Sequence, residues 1–287
     1  MGPIQWSNAQ MIWLTQYYRL HYTINQLAHM REIAHDMVCK HPIYDRFFIK
    51  ERNSNIIFVI DSGSPLCFIP TTYFSGEQLE LTSWIKTTKG RSISIYGQKE
   101  LIVDLGLERK MKWRFFLADI TEPLIGADFL VHYDLQIDLR MKKLVANANT
   151  ANENDLADEN DLVNENDLSN PKIEDQESNT NRCLYIFDKN SGLRFLIDSG
   201  ARRSQIPLIT NESLTPLPYS RFIKANGSFV AEYGYKYLTV DLGFEDRFPW
   251  NFIMTDNVMP LIGTDFLTHY DLRIDLRRRK LIKRQSE

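Results

Sequence analysis

Cysteine is scarce in this chain. Three occur in 287 residues, Cys39, Cys67 and Cys183, an odd number and widely spaced. Without a Cys-x-x-Cys pair they define neither a disulfide framework nor a zinc site, and they read as reduced thiols of a cytoplasmic protein. Long apolar runs are also missing. No stretch approaches the roughly 20 residues that a membrane-spanning helix needs, so no membrane partner is expected. The N-terminus mixes Trp6, Trp13 and Tyr17 with polar residues and no small-residue cleavage site follows, which argues against a secretory leader. Gly2 is followed by Pro3, and Trp6 stands where N-myristoylation needs Ser or Thr.

Neither sign of charge dominates the whole, but the charge is uneven. The net charge is −3, yet residues 147–181 hold ten Asp/Glu and one Lys, which leaves the rest of the chain at +6. The acidic stretch repeats Asn-Glu-Asn-Asp-Leu with a six-residue period. It carries too little apolar surface to offset the entropy of ordering, and it reads as a flexible acidic linker between two bodies. The basic end, Arg277-Arg278-Arg279-Lys280 and Lys283-Arg284, reads as a solvated strand end, so a nucleic-acid partner is not expected.

What is abundant is internal repetition. Asp61-Ser62-Gly63 recurs as Asp198-Ser199-Gly200, and Leu124-Ile125-Gly126 recurs as Leu261-Ile262-Gly263, both with an offset of 137. The register also matches Tyr96-Gly97 with Tyr233-Gly234, Val103–Gly106 with Val240–Gly243, Trp113 with Trp250, and His132–Leu135 with His269–Leu272. So long a period marks duplicated domains and not a solenoid, whose units run to about 20–50 residues. The divisions expected are an N-terminal segment (1–42), a first domain (43–146), the linker (147–181) and a second domain (182–287). Residues 8–37 carry apolar positions at near-helical spacing and predict an amphipathic helix or pair.

Within each copy the pattern is mostly short strands. Residues 56–60 and 195–197 are continuous apolar runs of the kind that forms buried strands. Leu101-Ile102-Val103 and residues 237–240 predict strands closed by Gly106 and Gly243. One helix per copy is expected, over 127–133 and 264–270, with Asp128 and His132, and Asp265 and His269, paired on its surface at i,i+4. Each His reads as part of such a pair and not as a metal ligand, and no metal or cofactor is expected. Trp113 and Trp250 read as core or interface aromatics.

The chemistry rests on the paired Asp-Ser-Gly. Two carboxylates close together cannot both ionise, so such a pair can hold one proton and serve as base to a water and acid to a carbonyl. Each Asp ends a buried strand, which fixes its position. Ser62 and Ser199 offer hydroxyls that can bond across to the opposite loop, and Gly63 and Gly200 permit close backbone approach.

In these residues the chain resembles the retropepsins, the aspartic peptidases of retroviruses and LTR retrotransposons, and most of all those of the gypsy class. The resemblance is carried by Phe195–Ala201, Ala225-Asn226-Gly227 with Tyr233-Gly234, and Leu261–Leu267, and by their first-copy matches Phe58–Ser64 and Leu124–Leu130. It implies a mainly β protein of two tandem closed β-domains with one short helix each. It implies Asp61 and Asp198 as catalytic carboxylates at the interface of two lobes, with Ser62, Gly63, Ser64, Ser199, Gly200 and Ala201 forming the active-site loops. Tyr96, Gly97, Tyr233 and Gly234 are then expected in or beside the flaps that cover the cleft. The substrate would be a polypeptide, and the lobes would meet as an intramolecular pseudo-dimer or in a homo-oligomer. A catalytically inactive binding or assembly module is the alternative.

Three departures from the family pattern stand out. Pro65-Leu66 and Arg202-Arg203 occupy places where relatives carry an acidic residue, and Asp128 and Asp265 stand near the place of the Arg that pairs with it. A polarity-swapped pair of Arg202 with Asp265 is therefore expected. Ser64 against Ala201 makes the two halves of the cleft unequal. No reverse transcriptase, integrase or zinc knuckle accompanies the peptidase pattern.

Overall fold

The run Phe58-Val59-Ile60 is apolar on both faces because both faces are covered. Phe58 and Ile60 enter the main core, and Val59 enters a smaller apolar cluster on the other side. A strand so placed sits inside a sheet, and this one (β2, Ile57–Ile60) does, between β1 (Phe48–Lys50) and β7 (Leu124–Ile125). The computed structural model describes residues 46–146 and 182–284, apart from 75, 77–78, 87–91, 209–215, 217–220 and 224–228. The N-terminal segment 1–42, the linker 147–181 and Ala225-Asn226-Gly227 lie outside the described residues.

The protein is mainly β. The first copy continues through β3 (Phe68–Pro70), β4 (Ser83–Lys86), β5 (Ser92–Val103) and β6 (Met111–Ala118), then β7 and the helix α1 (Ala127–His132), and closes with β8 (Leu135–Asp138) and β9 (Lys143–Ala146). The second copy repeats the order as β10 (Tyr185–Phe187), β11 (Arg194–Ile197), β12 (Gln205–Pro207), β13 (Arg221–Ile223), β14 (Phe229–Val240), β15 (Phe248–Thr255), β16 (Leu261–Ile262), α2 (Thr264–His269), β17 (Leu272–Asp275) and β18 (Lys280–Lys283). Each copy folds into a seven-stranded sheet with the same strand order, β1-β2-β7-β3-β6-β5-β4 and β10-β11-β16-β12-β15-β14-β13. The helices expected over 127–133 and 264–270 are present, one residue shorter.

Two features of this order matter for the site. The strand that leads into each Asp-Ser-Gly pairs in parallel with the Leu-Ile strand of the same copy, Ile60 with Ile125 and Leu196 with Leu261. The backbone N–H of Asp61 then donates to Ile125 O, and that of Asp198 to Ile262 O, both at 2.9 Å. The two sequence motifs of each copy are thus neighbours in space, and the sheet holds the Asp backbone.

The last hairpins of the copies join. β8 and β17 pair antiparallel at Ile137 and Ile274, giving a four-stranded sheet ordered β18-β17-β8-β9 with strands from both copies. Ile137, Leu139, Ile274 and Leu276 are buried in a core that draws on both copies. Around this sheet the basic end of the chain meets acids of the first copy. Arg278 bonds both carboxylate oxygens of Asp134 (2.8 and 3.1 Å) and also reaches Asp275. Arg284 and Arg273 pair with Asp138, and Gln136 donates to Asp275 at 2.9 Å. The basic strand end expected from sequence is solvated at Arg277, Arg279, Lys280 and Lys283. The expectation is corrected at Arg278 and Arg284, which tie the copies together because Asp134 and Asp138 are buried and need cationic partners. Among the described residues no helix is long and apolar enough to cross a membrane.

Candidate active site

Asp61 and Asp198 each follow the last residue of a buried strand, and their loops meet at the junction of the copies. Ser62 and Ser199 are fully buried at the crossing point. The backbone N–H of Ser62 donates to the Ser199 hydroxyl and that of Ser199 to the Ser62 hydroxyl, both at 2.9 Å. Each hydroxyl then donates to the strand opposite, Ser62 to Ile197 O and Ser199 to Ile60 O, both at 2.8 Å. A hydroxyl suits this place because it carries one donor and two acceptor positions in a small volume. The four bonds satisfy both hydroxyls and both serine N–H groups, and they join two loops 137 residues apart.

The glycines show how close the carboxylates lie to the opposite loop. A Cβ on Gly63 would stand 2.5 Å from Asp198 Cγ, and one on Gly200 would stand 2.4 Å from Asp61 Cγ. At the same time Gly63 N–H donates to Asp61 Oδ1 at 2.9 Å and Gly200 N–H to Asp198 Oδ1 at 3.0 Å. Each glycine therefore touches both acids, binding one with its amide and making room for the other with its missing side chain. Ser64 N–H adds a second bond to Asp61 Oδ1, at 3.1 Å. Asp198 is only 6% exposed. The six loop residues and two acids named from sequence are thus brought together.

The departures from symmetry are small here. Ser64 turns its hydroxyl to Leu66 O at 2.8 Å, a bond Ala201 cannot make. Cys183, buried behind the loop, has its Sγ 3.6 Å from Gly63 O. Burial, and then the carboxylates of Asp61 and Asp198, push its thiol far up, so it stays protonated. Cys67 and Cys183 are free thiols, and Cys39 lies outside the described residues.

Behind each loop lies a carboxylate that sequence reading assigned to the surface, Asp265 buried and Asp128 half-buried. Asp128 does not pair with His132. Its Oδ1 accepts the Cys67 thiol at 2.9 Å and its Oδ2 the Cys67 N–H at 3.2 Å. Asp265 does not pair with Arg202 either. It accepts the Ser204 hydroxyl at 2.7 Å and the Ser204 N–H at 2.9 Å. Cys67 Sγ and Ser204 Oγ in turn accept the N–H of Gly126 (3.1 Å) and of Gly263 (2.9 Å). Both carboxyls begin a short helix whose first turn packs inward, which is why they cannot reach the exposed His. Burial raises the pKa of Asp128 and Asp265, and the bonds from Cys67 and Ser204 offset only part of that rise. The signal for this layer was in the repeat, since Cys67 and Ser204 are matched positions, but two different letters concealed it.

His132 and His269 instead stack on aromatics, with ring centroids 5.1 Å from Trp113 and from Trp250. Both indoles also pack edge-on against Phe129 and Phe266, as core aromatics do. Tyr96-Gly97 and Tyr233-Gly234 lie at the bulges where β5 and β14 change register, just past their pairing with β4 and β13. Gly97 and Gly234 take φ of +109° and +120°, a left-handed conformation that favours glycine. Tyr96 donates its hydroxyl to Asp119 at 2.8 Å. Residues 87–91 and 224–228, between the hairpin strands, lie outside the described residues.

Among the described residues no group of three or more His, Cys, Asp or Glu side chains could hold a metal ion. In comparisons with known proteins, no family model and no curated protein matches the chain. The site must therefore be read from its own geometry.

Proposed function

We propose that this protein is an aspartic-type endopeptidase, derived from a retrotransposon, in which two tandem retropepsin-like halves form one active site within a single chain. The observation that carries the proposal is the reciprocal contact of Asp61 and Asp198 with Gly63 and Gly200. Two acids held against the same pair of glycines can share a proton. The pair then takes a proton from a water as it attacks the peptide carbonyl and gives one to the carbonyl oxygen, and the tetrahedral species collapses with release of the amine. The substrate is a polypeptide in extended form, added as a strand beneath the β4–β5 and β13–β14 hairpins. The buried thiols of Cys67 and Cys183 suit a reducing compartment such as the cytoplasm.

The hydrogen-bonded serines favour pairing within the chain, since both partners of every bond are already present in one molecule. The test is incubation of the full chain with a peptide library at pH 4–6, with and without pepstatin. Asp61→Asn and Asp198→Asn are expected each to lower cleavage by at least about 100-fold. Cleavage that survives Asp61→Asn but not Asp198→Asn would indicate pairing between second copies of two chains. Absence of cleavage in the unaltered protein would leave a binding or assembly module.

A further inference from the structure

The contacts that hold the two copies together fall into two classes. The first class is the same from either side. Ile137 pairs across the four-stranded sheet with Ile274, its own match at the offset of 137, and the matched Leu139 and Leu276 are both buried. Ser62 and Ser199 are matched and exchange equal bonds. Nothing in this class tells one copy from the other. Two first copies, or two second copies, could make the same contacts.

The second class is one-sided. Over 135–147 and 272–284 the matched positions differ in charge at Gln136/Arg273, Met141/Arg278, Ala146/Lys283 and Asn147/Arg284. Lys283 pairs with Asp246 of its own copy. The other three cations reach into the first copy. Arg273 lies 3.1 Å and Arg284 2.5 Å from Asp138, and Arg278 lies 2.8 Å from Asp134. In return the first copy offers Asp275 the neutral amide of Gln136 at 2.9 Å and offers Asp271 the guanidinium of Arg140 at 3.5 Å. Asp134, Asp138, Asp271 and Asp275 thus meet Arg140, Arg273, Arg278 and Arg284, four acids against four arginines.

Asp138 is 1% exposed and Asp134 2%. A buried ion pair adds little net stability, but a buried acid that loses its cation is strongly unfavourable, so such pairs act mainly against the wrong partner. Two first copies joined through this surface would bury Asp134 and Asp138 twice over, with Arg140 from each as the arginines of the set, four acids against two. Two second copies would bring Arg273, Arg278 and Arg284 from each, six arginines against four acids. The unlike pairing alone balances.

We infer that the joining surfaces are coded by charge: the first copy takes the second copy as its partner, and like copies do not pair. A site with two acids is incomplete in either copy alone, and this code restricts it to one Asp61 and one Asp198. The inference rests on the peptidase reading only for what the completed pair does. Pairing is measured without cleavage of any substrate, so either reading can fail alone.

The test uses the full chain with a specific protease site placed in the linker 147–181. The chain is cut there, unfolded in denaturant, refolded, and weighed by native mass spectrometry, which separates the three pairings because the halves differ in mass. Random pairing gives twice as many unlike pairs as pairs of either like kind. Unlike pairs are expected in at least about tenfold excess over each like kind. Like pairs near their random share overturn the inference. If the cut halves do not refold, cut chains that were never unfolded decide it by dilution. Arg273→Gln/Arg278→Met should raise the concentration at which the halves separate by about tenfold. Adding Gln136→Arg/Met141→Arg should reverse that change, since the arginines then stand on the first copy and meet Asp275 and Asp271. Unchanged separation in the first variant, or no recovery in the second, overturns the inference.

Discussion

The hydroxyl of Ser62 and the hydroxyl of Ser199 each accept the other residue's backbone N–H, so the two halves of the molecule are tied at their acids by a pair of equal bonds. Removing either hydroxyl strands an N–H of the opposite loop and a carbonyl of the opposite strand. Ser62→Ala and Ser199→Ala should each lower unfolding stability by about 1–3 kcal/mol, the cost of leaving buried polar groups unpaired. The two hydroxyls share no hydrogen bond, so the double variant should cost about the sum of the two losses. Denaturant titration of the three variants checks this, and a double loss well below that sum would show that one substitution already loosens the whole crossing.

Gly63 and Gly200 are expected to be intolerant of one added methyl. A Cβ at either place would come within 2.5 Å of the opposite carboxyl carbon, so the acid must move. Gly63→Ala should displace Asp198, and Gly200→Ala should displace Asp61. Displacement of a reacting group by about 1 Å can cost about 100-fold, so peptide cleavage should fall by that order in each. A circular dichroism spectrum like that of the parent protein would separate this loss from unfolding. Full activity in Gly63→Ala would contradict the close approach.

Cys67 should be replaceable by serine but not by alanine. Ser204 makes the matching bonds with a hydroxyl, to Asp265 and from Gly263. Cys67→Ser should therefore change stability by no more than about 1 kcal/mol, whereas Cys67→Ala strands Gly126 N–H and weakens the hold on Asp128, costing about 1–3 kcal/mol. Thermal melts of the two variants decide between them.

The raised pKa of Asp265 sets the sign of a pH effect. A carboxyl that binds its proton more tightly when folded adds stability below its unfolded pKa, and that contribution is lost as pH rises through the folded value. Asp265→Asn has no such proton to gain. The melting temperature of the parent protein relative to Asp265→Asn should thus be higher near pH 4 than at pH 7. Asp128→Asn should behave the same way, since burial raises that carboxyl too. A constant difference across the range would show that burial does not raise these groups.

Much of the site was legible in the sequence because its pieces are short, local and repeated. An apolar run before each Asp-Ser-Gly predicts a buried strand, and β2 and β11 are those strands. A helix after each Leu-Ile-Gly follows from the apolar stripe of Phe129 and Leu130, and both are buried. The i,i+4 spacing of Asp128 and His132 misled, since spacing shows which residues can meet on a helix but not which side of the helix the core covers. The Arg202–Asp265 pair failed for a related reason. Charge complementarity outweighed the nearer Ser204, which satisfies the carboxylate without the cost of burying a guanidinium.

The amino-acid sequence by itself determined the duplication, the strand runs and the identity of the residues at each loop, because these depend on local pattern and on a fixed offset. Only the tertiary structure decided that Ser62 bonds Ser199, that Asp61 faces Gly200, and that Arg278 closes on Asp134. Those contacts join residues more than 130 positions apart. No periodicity encodes them, and they arise when two sheets built on one plan bury a common edge and must satisfy every polar group that the burial removes from water.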